Sequence, residues 1–337
     1  MIYPSFLKKG DIIGLTAPSD GRTSEPDKRR LDFAVSAFKE RGYRVIETAS
    51  TRKSEKGRSA DGRTRANELA ELVNNPETGA VIAVSGGDLL FEMLPYVDYE
   101  LFKKHPVWFE GMSDPTGLTY TITTLADVAS IYGCNAGDFG MSPWDKGLDD
   151  NLKILEGKTV VQHERKSFQS GWLDVVNGDE PFVFDSDVKL YTLNGEKEIN
   201  MSGRLLGGCF DVLVGLCGTE FDRTAEFVKK YADDGILWYL EVFSMTPELL
   251  SFYLWKLKHA GWFENAAGFM FGRPCMLNTE YSLLTYEEAI KNVIPEGVPV
   301  ILDMDFGHRP PRMTIVNGAI GHVKYSDGTC EFKQEFR

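Results

Sequence analysis

The chain lacks several features that mark common protein classes. No apolar run approaches the roughly 20 residues of a membrane span, so we expect no membrane contact. Residues 1–9 lack the long apolar stretch of a secretory signal, and we therefore expect a cytoplasmic protein. The five cysteines include no C-x-x-C pair, which argues against a zinc ribbon or a thioredoxin-type pair and favours buried free thiols. Positive charge is in deficit: the net charge is −13, which disfavours nucleic acid as a partner.

The first part of the 337-residue chain alternates short apolar runs with amphipathic stretches. The apolar runs predict strands, and the stretches with apolar residues at helical spacing predict helices. The expected strands are 11–17, 43–46, 80–84, 107–109 and 128–132, and the expected helices are 25–41, 64–73, a turn or more at 89–94, and 116–125. Such alternation implies βαβ units and a parallel sheet with helices on both faces, whose ligands bind at the carboxyl ends of the strands.

From about residue 138 to 200 the pattern changes, because turn residues become frequent and apolar runs shorten. This change predicts a domain boundary followed by a strand-rich part. We place an N-terminal α/β domain at 1–150, a linker at 151–175 and a C-terminal domain at 176–337. Later strands are expected at 236–240, 298–302 and 314–316, and Thr246 is expected to cap a helix.

Three segments each place a polar residue after a buried strand, close to a glycine or at the strand's end. In the first, the strand 107–109 leads through Gly111 to Ser113 and then to a helix start, a geometry that suits a nucleophile but equally suits a helix cap. In the second, Glu241 ends an apolar strand, where it would orient an imidazole or form an ordinary ion pair. In the third, His308 follows a strand and Gly307, and it alone of the five histidines has this setting.

A fourth segment, Gly86-Gly87-Asp88, directly follows the buried strand 80–84. Glycines there allow backbone N–H groups to point into a site, as an oxyanion hole requires, although they would also serve a tight turn. Phosphate cradling is a rival use, but neither G-x-x-x-x-G-K-[ST] nor G-x-G-x-x-G is present.

In this order, these segments resemble the LD-carboxypeptidase family of serine peptidases, which includes muramoyl-tetrapeptide carboxypeptidases and microcin C immunity hydrolases. The resemblance spans nearly the whole chain in six ordered blocks. The matching blocks are Lys8-Lys9-Gly10-Asp11 through Thr16-Ala17-Pro18-Ser19, Gly86-Gly87 with Leu94-Pro95-Tyr96-Val97-Asp98, Gly111–Asp114, Gly207-Gly208 through Gly218-Thr219, Leu240-Glu241 with the following helix and Gly272, and Gly307-His308.

The resemblance implies a doubly wound N-terminal domain of the flavodoxin or amidotransferase type and a C-terminal β-rich α+β domain, with the active site between them. It implies a catalytic triad of Ser113, Glu241 and His308, an acyl-enzyme, and an oxyanion held by the backbone N–H groups of Gly87 and Asp114. It implies a homodimer and no metal or organic cofactor. For substrate binding we consider Asp88, Trp144 and Arg309.

The chain departs from the family pattern near the expected cleft, at Ala126–Asn135, at Cys209-Phe210-Asp211 and at Val242. These departures leave the substrate open. The first choice is the bond between the L-centre of a diamino acid and D-alanine in murein peptides. The alternative is an aminoacyl-nucleotide amide, whose base an aromatic such as Trp144 or Trp172 would stack on, although packing roles are also open for both.

Two readings come from other classes. An amidotransferase-like enzyme would use Cys134 as its nucleophile, but those enzymes carry a His-x-Glu pair and none occurs here. A non-catalytic binding protein would keep the fold without needing all three residue types of the triad. Labelling of Ser113 by a serine-directed acylating probe separates these readings from a hydrolase.

Overall fold

The computed structural model describes all residues from 1 to 337, and strands alternate with helices through its first half. These elements are β1 (Ile12–Thr16), α1 (Glu25–Glu40), β2 (Arg44–Glu47), α2 (Gly62–Asn74), β3 (Thr78–Ala83), a 3-10 helix (Leu90–Tyr96), α3 (Tyr99–Lys104), β4 (Trp108–Gly111), α4 (Thr116–Ala126), β5 (Ser130–Tyr132), a second 3-10 helix (Ala136–Gly140) and α5 (Lys146–Leu155).

Five of these strands form a parallel sheet in the order β5-β4-β3-β1-β2. The strand order reverses between β1 and β3, and in open α/β sheets ligands bind at such a switch point, beyond the carboxyl ends of the strands. The segments that follow these two strands, 17–20 and 84–88, are therefore the expected walls of a site. The predicted doubly wound sheet is confirmed.

Local sequence explains where the first helix of this sheet begins and which face it buries. Ser24 precedes α1, and its side-chain oxygen accepts the backbone N–H of Asp27, as an N-cap residue should. Leu31, Ala34 and Phe38 follow at helical spacing and are fully buried against the sheet layer. Most charged residues of the helix are exposed or half-buried, but Arg30 is buried next to Leu31.

The second half of the chain is richer in strands. Its elements are β6 (Val161–His163), β7 (Ser167–Phe168), β8 (Ser186–Asp187), β9 (Tyr191–Thr192), β10 (Glu198–Cys209), α6 (Phe210–Leu216), α7 (Thr224–Lys230), β11 (Ile236–Glu241), β12 (Ser244–Met245), α8 (Pro247–His259), β13 (Ala266–Gly272), β14 (Met276–Leu277), α9 (Tyr286–Lys291), β15 (Val300–Met304), β16 (Ile315–Asn317), β17 (Ile320–Ser326) and β18 (Thr329–Glu335).

Eight of these strands form a mixed sheet in the order β6-β18-β17-β10-β11-β13-β15-β9. Its centre, β10-β11-β13-β15, is parallel, and the flanking strands pair antiparallel. The predicted β-rich C-terminal part is thereby confirmed in class, while its parallel centre goes beyond the prediction. Glu241 ends β11 and His308 follows β15, so both lie beyond the carboxyl ends of central strands.

One late strand crosses back to the first sheet. β16 pairs antiparallel with β5 and so extends the first sheet to six strands. β6, which lies inside the predicted linker 151–175, is an edge strand of the second sheet beside β18. The exact division of the chain into domains at 150 and 175 stays a prediction.

The two sheets share hydrophobic cores, which hold one sheet in a fixed position against the other. Tyr120 of α4 stacks on Trp262 with ring centroids 5.3 Å apart, and its hydroxyl lies 2.8 Å from Thr224 Oγ1. All three side chains are fully buried. Trp262 in turn stacks on Trp238 of β11 at 5.9 Å. Because close-packed interiors resist deformation, this stack fixes α4 relative to β11.

Two further findings concern the cysteines and the helices. All five cysteines are free and buried, as the sequence predicts. No helix is both long enough and apolar enough to cross a membrane.

Candidate active site

Ser113 lies in a tight turn between β4 and α4. Its φ is +68°, a left-handed conformation that a non-glycine residue seldom adopts. The Ser113 carbonyl accepts the N–H of Thr116 at 2.9 Å, which starts the helix directly after the turn. A side chain at Gly111 would come within 2.7 Å of Pro115, so the turn requires glycine there. The strand-to-helix turn therefore presents the hydroxyl at the carboxyl edge of the sheet.

Glu241 is fully buried at the end of β11. Its Oε1 accepts hydrogen bonds from His308 Nδ1 at 2.7 Å and from the His308 backbone N–H at 3.3 Å, and its Oε2 accepts the Tyr132 hydroxyl at 3.2 Å. A buried carboxylate is costly unless it is paired and hydrogen-bonded, and these three donors satisfy it.

The His308 ring lies between the carboxylate and the hydroxyl. Its Nε2 is 2.9 Å from Ser113 Oγ, and its opposite nitrogen faces Glu241. Gly307 has φ of +100°, and a Cβ there would lie 2.0 Å from Glu241 Cγ, so only glycine allows the close approach. The Phe243 ring packs on the imidazole at a centroid distance of 4.3 Å.

The structure therefore brings together the three residues that the sequence singles out, although 195 positions separate Ser113 from His308. With a proton on Nδ1 directed at Glu241, Nε2 is free to accept the proton of the serine hydroxyl. This arrangement can activate a hydroxyl for attack on a carbonyl carbon.

The glycine pair at 86 and 87 faces the serine. A Cβ at Gly86 would lie 3.0 Å from Ser113 Oγ and 3.8 Å from the backbone N of Asp114. Gly87 has φ of +151°, and a Cβ there would lie 2.2 Å from Ser19 Oγ. The backbone N–H groups of Gly87 and Asp114 donate no hydrogen bond within the chain. The space beside the hydroxyl thus has backbone donors at its border.

The Asp114 side chain anchors the turn instead of facing solvent. It accepts hydrogen bonds from the Ser19 hydroxyl and, at 2.8 Å, from the Leu90 backbone N–H. Burial raises the pKa of this carboxyl, and the two hydrogen bonds act in the opposite direction. In the sequence only the backbone N–H of Asp114 is expected to have a role, and Ser19 has none of its own. The contact between them spans 95 positions and is visible only in the fold.

The candidate substrate-binding residues have different positions. Asp88 lines the cleft that contains Ser113 and His308. Trp144, contrary to the expectation, lies outside the cleft: its indole N–H donates to the Phe139 carbonyl at 2.8 Å, and the Arg41 guanidinium covers its ring at 3.4 Å. Its ring is thus occupied by packing contacts.

Arg309 also lies outside the residues that line the cleft. Its guanidinium donates to the Cys275 carbonyl at 2.8 Å and stands 5.6 Å from the Trp172 ring. Trp172 itself is 61% exposed, lines the cleft and packs edge-on against His308.

The cleft has a volume of about 1010 Å³ and runs between the two halves of the chain. Three arginines that the sequence does not single out line it: Arg22, Arg30 and Arg312. Arg312 donates to the backbone carbonyls of Gly307 at 2.8 Å and His308 at 3.2 Å, and it pairs with Asp138. It therefore stabilises the loop that carries the imidazole. No sequence motif marks these residues.

Cys134, the nucleophile of the rival amidotransferase reading, does not line the cleft. It is buried, and burial raises the pKa of its thiol. Because the thiolate is the reactive form, this environment opposes a nucleophilic role. No group of three or more His, Cys, Asp or Glu side chains is arranged to hold a metal ion.

Comparison with known proteins shows which family the sequence matches. Residues 13–133 match the family model described as LD-carboxypeptidase N-terminal domain, and residues 202–323 match that of the LD-carboxypeptidase C-terminal domain. A "Probable murein peptide carboxypeptidase" of Bacillus subtilis is 26% identical, with 97% of this chain and 93% of that protein covered.

Two further relatives carry a different name. The "Microcin C7 self-immunity protein MccF" of Escherichia coli is 26% identical, with 98% of this chain and 95% of that protein covered. The crystal structure of an MccF-like protein from Bacillus anthracis superposes with a TM-score of 0.82 at 24% identity and covers 100% of both chains. This similarity shows that the two proteins share a fold.

Proposed function

The chain belongs to the LD-carboxypeptidase family of peptidases, and from this premise we propose that it is a serine hydrolase that cleaves amide bonds through an acyl-enzyme. Ser113 is the nucleophile, His308 the general base and acid, and Glu241 the residue that orients His308. The observation that carries the proposal is the continuous hydrogen-bonded chain from Ser113 Oγ to His308 Nε2 at 2.9 Å and from His308 Nδ1 to Glu241 at 2.7 Å.

The proposed reaction assigns each step to a named group of the chain. Ser113 Oγ forms a bond to the carbonyl carbon while its proton passes to His308 Nε2, and the buried Glu241 carboxylate stabilises the imidazolium. The oxyanion accepts hydrogen bonds from the backbone N–H groups of Gly87 and Asp114. His308 then gives the proton to the leaving nitrogen as the C–N bond breaks, and water repeats the sequence on the ester.

The first candidate substrate is the L,D-peptide bond of murein peptides, with D-alanine as the leaving residue. The full-length similarity to a protein named as a murein peptide carboxypeptidase supports this choice. The cleft volume of about 1010 Å³ is at the upper end of small-molecule pockets and is sufficient for a short peptide.

A second candidate is an aminoacyl-nucleotide amide, as the similarity to the MccF immunity protein suggests. The specific observation in its favour is Trp172, which is 61% exposed at the cleft, with the Arg309 guanidinium 5.6 Å from its ring. An exposed indole beside a catalytic histidine offers a face on which a nucleobase can stack.

The test is turnover of a murein L,D-tetrapeptide beside an aminoacyl-sulfamoyl adenosine, with Ser113→Ala as the inactive variant and Cys134→Ala as its matched control. Release of D-alanine by wild type and Cys134→Ala, but not by Ser113→Ala, supports the carboxypeptidase. Cleavage of the nucleotide conjugate alone moves the assignment to an immunity-type amidase. If neither is cut and an acylating probe leaves Ser113 unlabelled, the chain is a non-catalytic binding protein.

We further propose that the chain acts as a cytoplasmic homodimer. Its five buried free thiols fit a reducing compartment. Leu249, Phe252 and Trp255 form an exposed apolar face on α8, with Phe252 and Trp255 stacked at 6.1 Å, and a second copy would cover this face. Sedimentation of wild type and of Trp255→Glu tests the dimer. We expect a dimer mass for wild type and a monomer mass for the variant, and a monomer mass for wild type contradicts the proposal.

A further inference from the structure

The catalytic cleft is lined by two chemically different groups of residues. One group is apolar and comes from the first 3-10 helix and from α6 and the turn after it: Leu90, Phe91, Leu94, Val212, Leu216 and Phe221. The other group contains the three arginines of the cleft, Arg22, Arg30 and Arg312. Arg22 and Arg312 both act electrostatically on Arg30, as do the carboxylates of Asp138 and Glu180, so the three guanidinium groups belong to one charged cluster.

Two of the three arginines have a carboxylate partner. Arg312 contacts Asp138 at 2.9 Å, and Arg22 contacts Asp27 at a longer distance of 3.3 Å. Arg30 has no carboxylate within 4.0 Å, although only 5% of its surface is exposed. The Asp138 and Glu180 carboxylates act on Arg30 only from beyond this distance. A buried cation is stabilised best by an anion in direct contact, so Arg30 can accept one further anion.

The hydrogen bonds of Arg30 also leave one donor group unused. Its Nη1 donates to the carbonyls of Gly178 at 3.3 Å and Glu180 at 3.0 Å, while its buried Nη2 has no partner. The Glu180 carboxylate acts on Arg30 electrostatically, but its oxygens accept the backbone N–H groups of residues 176–178. That carboxylate therefore leaves Nη2 without a partner.

Arg22 connects the cluster to the catalytic serine. Its Nε donates to the Val84 carbonyl at 3.2 Å, and Val84 lies two residues before Gly86, which faces Ser113 Oγ. Its side chain is 30% exposed, and its Nη2 stands against Gly137 of the cleft wall. A guanidinium at this position can donate to a group bound next to the nucleophile.

The negative charges of the cleft restrict where an anionic group can bind. Asp20 adjoins Gly87, and the charge of Asp88 acts on Asp114, so both carboxylates stand beside the proposed oxyanion donors. A free carboxylate is repelled there and attracted to the arginines. A carboxypeptidase substrate always presents such a carboxylate one residue beyond the bond that is cleaved, a span of about 3.8 Å between Cα atoms.

We propose that Arg22 and Arg30 bind the free α-carboxylate of the residue that leaves, and thereby restrict the enzyme to amides at the C-terminal end of a substrate. The inference rests on the proposed function, because it assumes that Ser113 attacks the adjoining carbonyl. Arginine suits the task, since its guanidinium donates in a fixed fork that matches a carboxylate. Arg312 contributes charge while it holds the His308 loop.

The test compares two substrates that differ in one group: a murein tetrapeptide ending in D-alanine and the same peptide ending in D-alaninamide. The readout is the ratio of kcat/KM for acid over amide. We expect wild type to prefer the acid by about 100-fold, as a charge-assisted ion pair allows. Arg22→Gln and Arg30→Met should each lower the ratio at least about tenfold.

Arg29 provides a matched control on the same helix. It also ties down the 176–178 loop, through the carbonyls of Asn177 at 3.0 Å and Val176 at 2.6 Å, but it does not line the cleft. Arg29→Met should keep the wild-type ratio. If it lowers the ratio as much as Arg30→Met does, loop tethering explains the effect and the carboxylate proposal is wrong.

The remaining outcomes separate this inference from the proposed function. If a fluorophosphonate labels Ser113 in wild type but acid and amide are cut equally, the hydrolase stands and the carboxylate inference is overturned. The same holds if Arg22→Gln and Arg30→Met both keep the wild-type ratio at unchanged melting temperature. If Ser113 is not labelled and neither peptide is cut, the proposed function falls and this inference falls with it.

Discussion

The buried carboxyl of Glu110 makes the stability of the fold depend on pH. It lies in β4, three residues before Ser113, and is fully buried. Asn151 Nδ2 donates to its Oε1 at 2.5 Å, whereas its Oε2 and the Asn151 Oδ1 have no hydrogen-bond partner. Burial raises the pKa of this carboxyl from 4.5 to about 8, and the Asn151 hydrogen bond opposes the shift. Glu110 is therefore protonated in the folded protein at neutral pH.

The raised pKa makes stability depend on pH in a defined direction. Below pH 4.5 both the folded and the unfolded chain hold the proton, so burial of Glu110 adds no pH dependence. Between pH 4.5 and about 8 only the folded chain holds it, and the free energy of unfolding falls as pH rises. At about 1.4 kcal/mol per pH unit, the loss between pH 5 and pH 8 amounts to about 3 to 4 kcal/mol.

Glu110→Gln should remove this pH dependence, because glutamine has nearly the same shape and no proton to lose. The assay is urea unfolding followed by tryptophan fluorescence at pH 5, 6, 7 and 8. We expect the free energy of unfolding of the variant, relative to that of wild type, to rise by about 3 kcal/mol from pH 5 to pH 8. Glu220→Gln, at an exposed position, is the matched control and should follow wild type. Parallel pH profiles of wild type and Glu110→Gln would refute a buried neutral carboxyl.

Three further substitutions test the site. Gly307→Ala places a Cβ 2.0 Å from Glu241 Cγ and should lower kcat by more than about 100-fold, whereas Gly297→Ala, with φ of +88° and open space around it, should leave kcat unchanged. Glu241→Gln should keep the fold but lower kcat by about 10³ to 10⁴, since the imidazole loses the carboxylate that orients it; a loss below tenfold contradicts that role. Gly86→Ala places a methyl group 3.0 Å from Ser113 Oγ and should slow fluorophosphonate labelling at least about tenfold, and an unchanged labelling rate would argue against the oxyanion site.

Much of the first sheet can be predicted because its signals are local. The helix expected at 25–41 is observed at Glu25–Glu40, and its start is set by the Ser24 cap. The helix α5 is absent from the prediction, since the turn residues Ser142-Pro143 indicate a boundary there, and the helix begins only after the Asp145 cap. The return of β16 to the first sheet joins distant parts of the chain and has no local signal.

The candidate site depends even more on contacts between distant parts of the chain, which have no local signal. Each triad segment, taken alone, is compatible with a cap, an ion pair or a loop residue, and only the ordered family resemblance favours chemistry. Trp144 and Trp172 look alike in the sequence, but one is covered by Arg41 and the other stands open at the cleft. The cleft arginines belong to no motif, because positions 22, 30 and 312 meet only after both sheets have packed.

The position of the triad at the junction of two sheets has a consequence for its stability. Ser113 is held by the first sheet, whereas Glu241 and His308 belong to the second, so the 2.9 Å contact between serine and imidazole exists only while the sheets stay packed. Tyr120 against Trp262 secures this packing from one side. Tyr132 secures it at the site itself, because it lies in the first sheet and donates to Glu241 in the second. The Tyr132–Glu241 hydrogen bond thus belongs both to the proposed site and to the interface between the sheets. Loosening of the interface would separate Ser113 from His308 before either sheet unfolds.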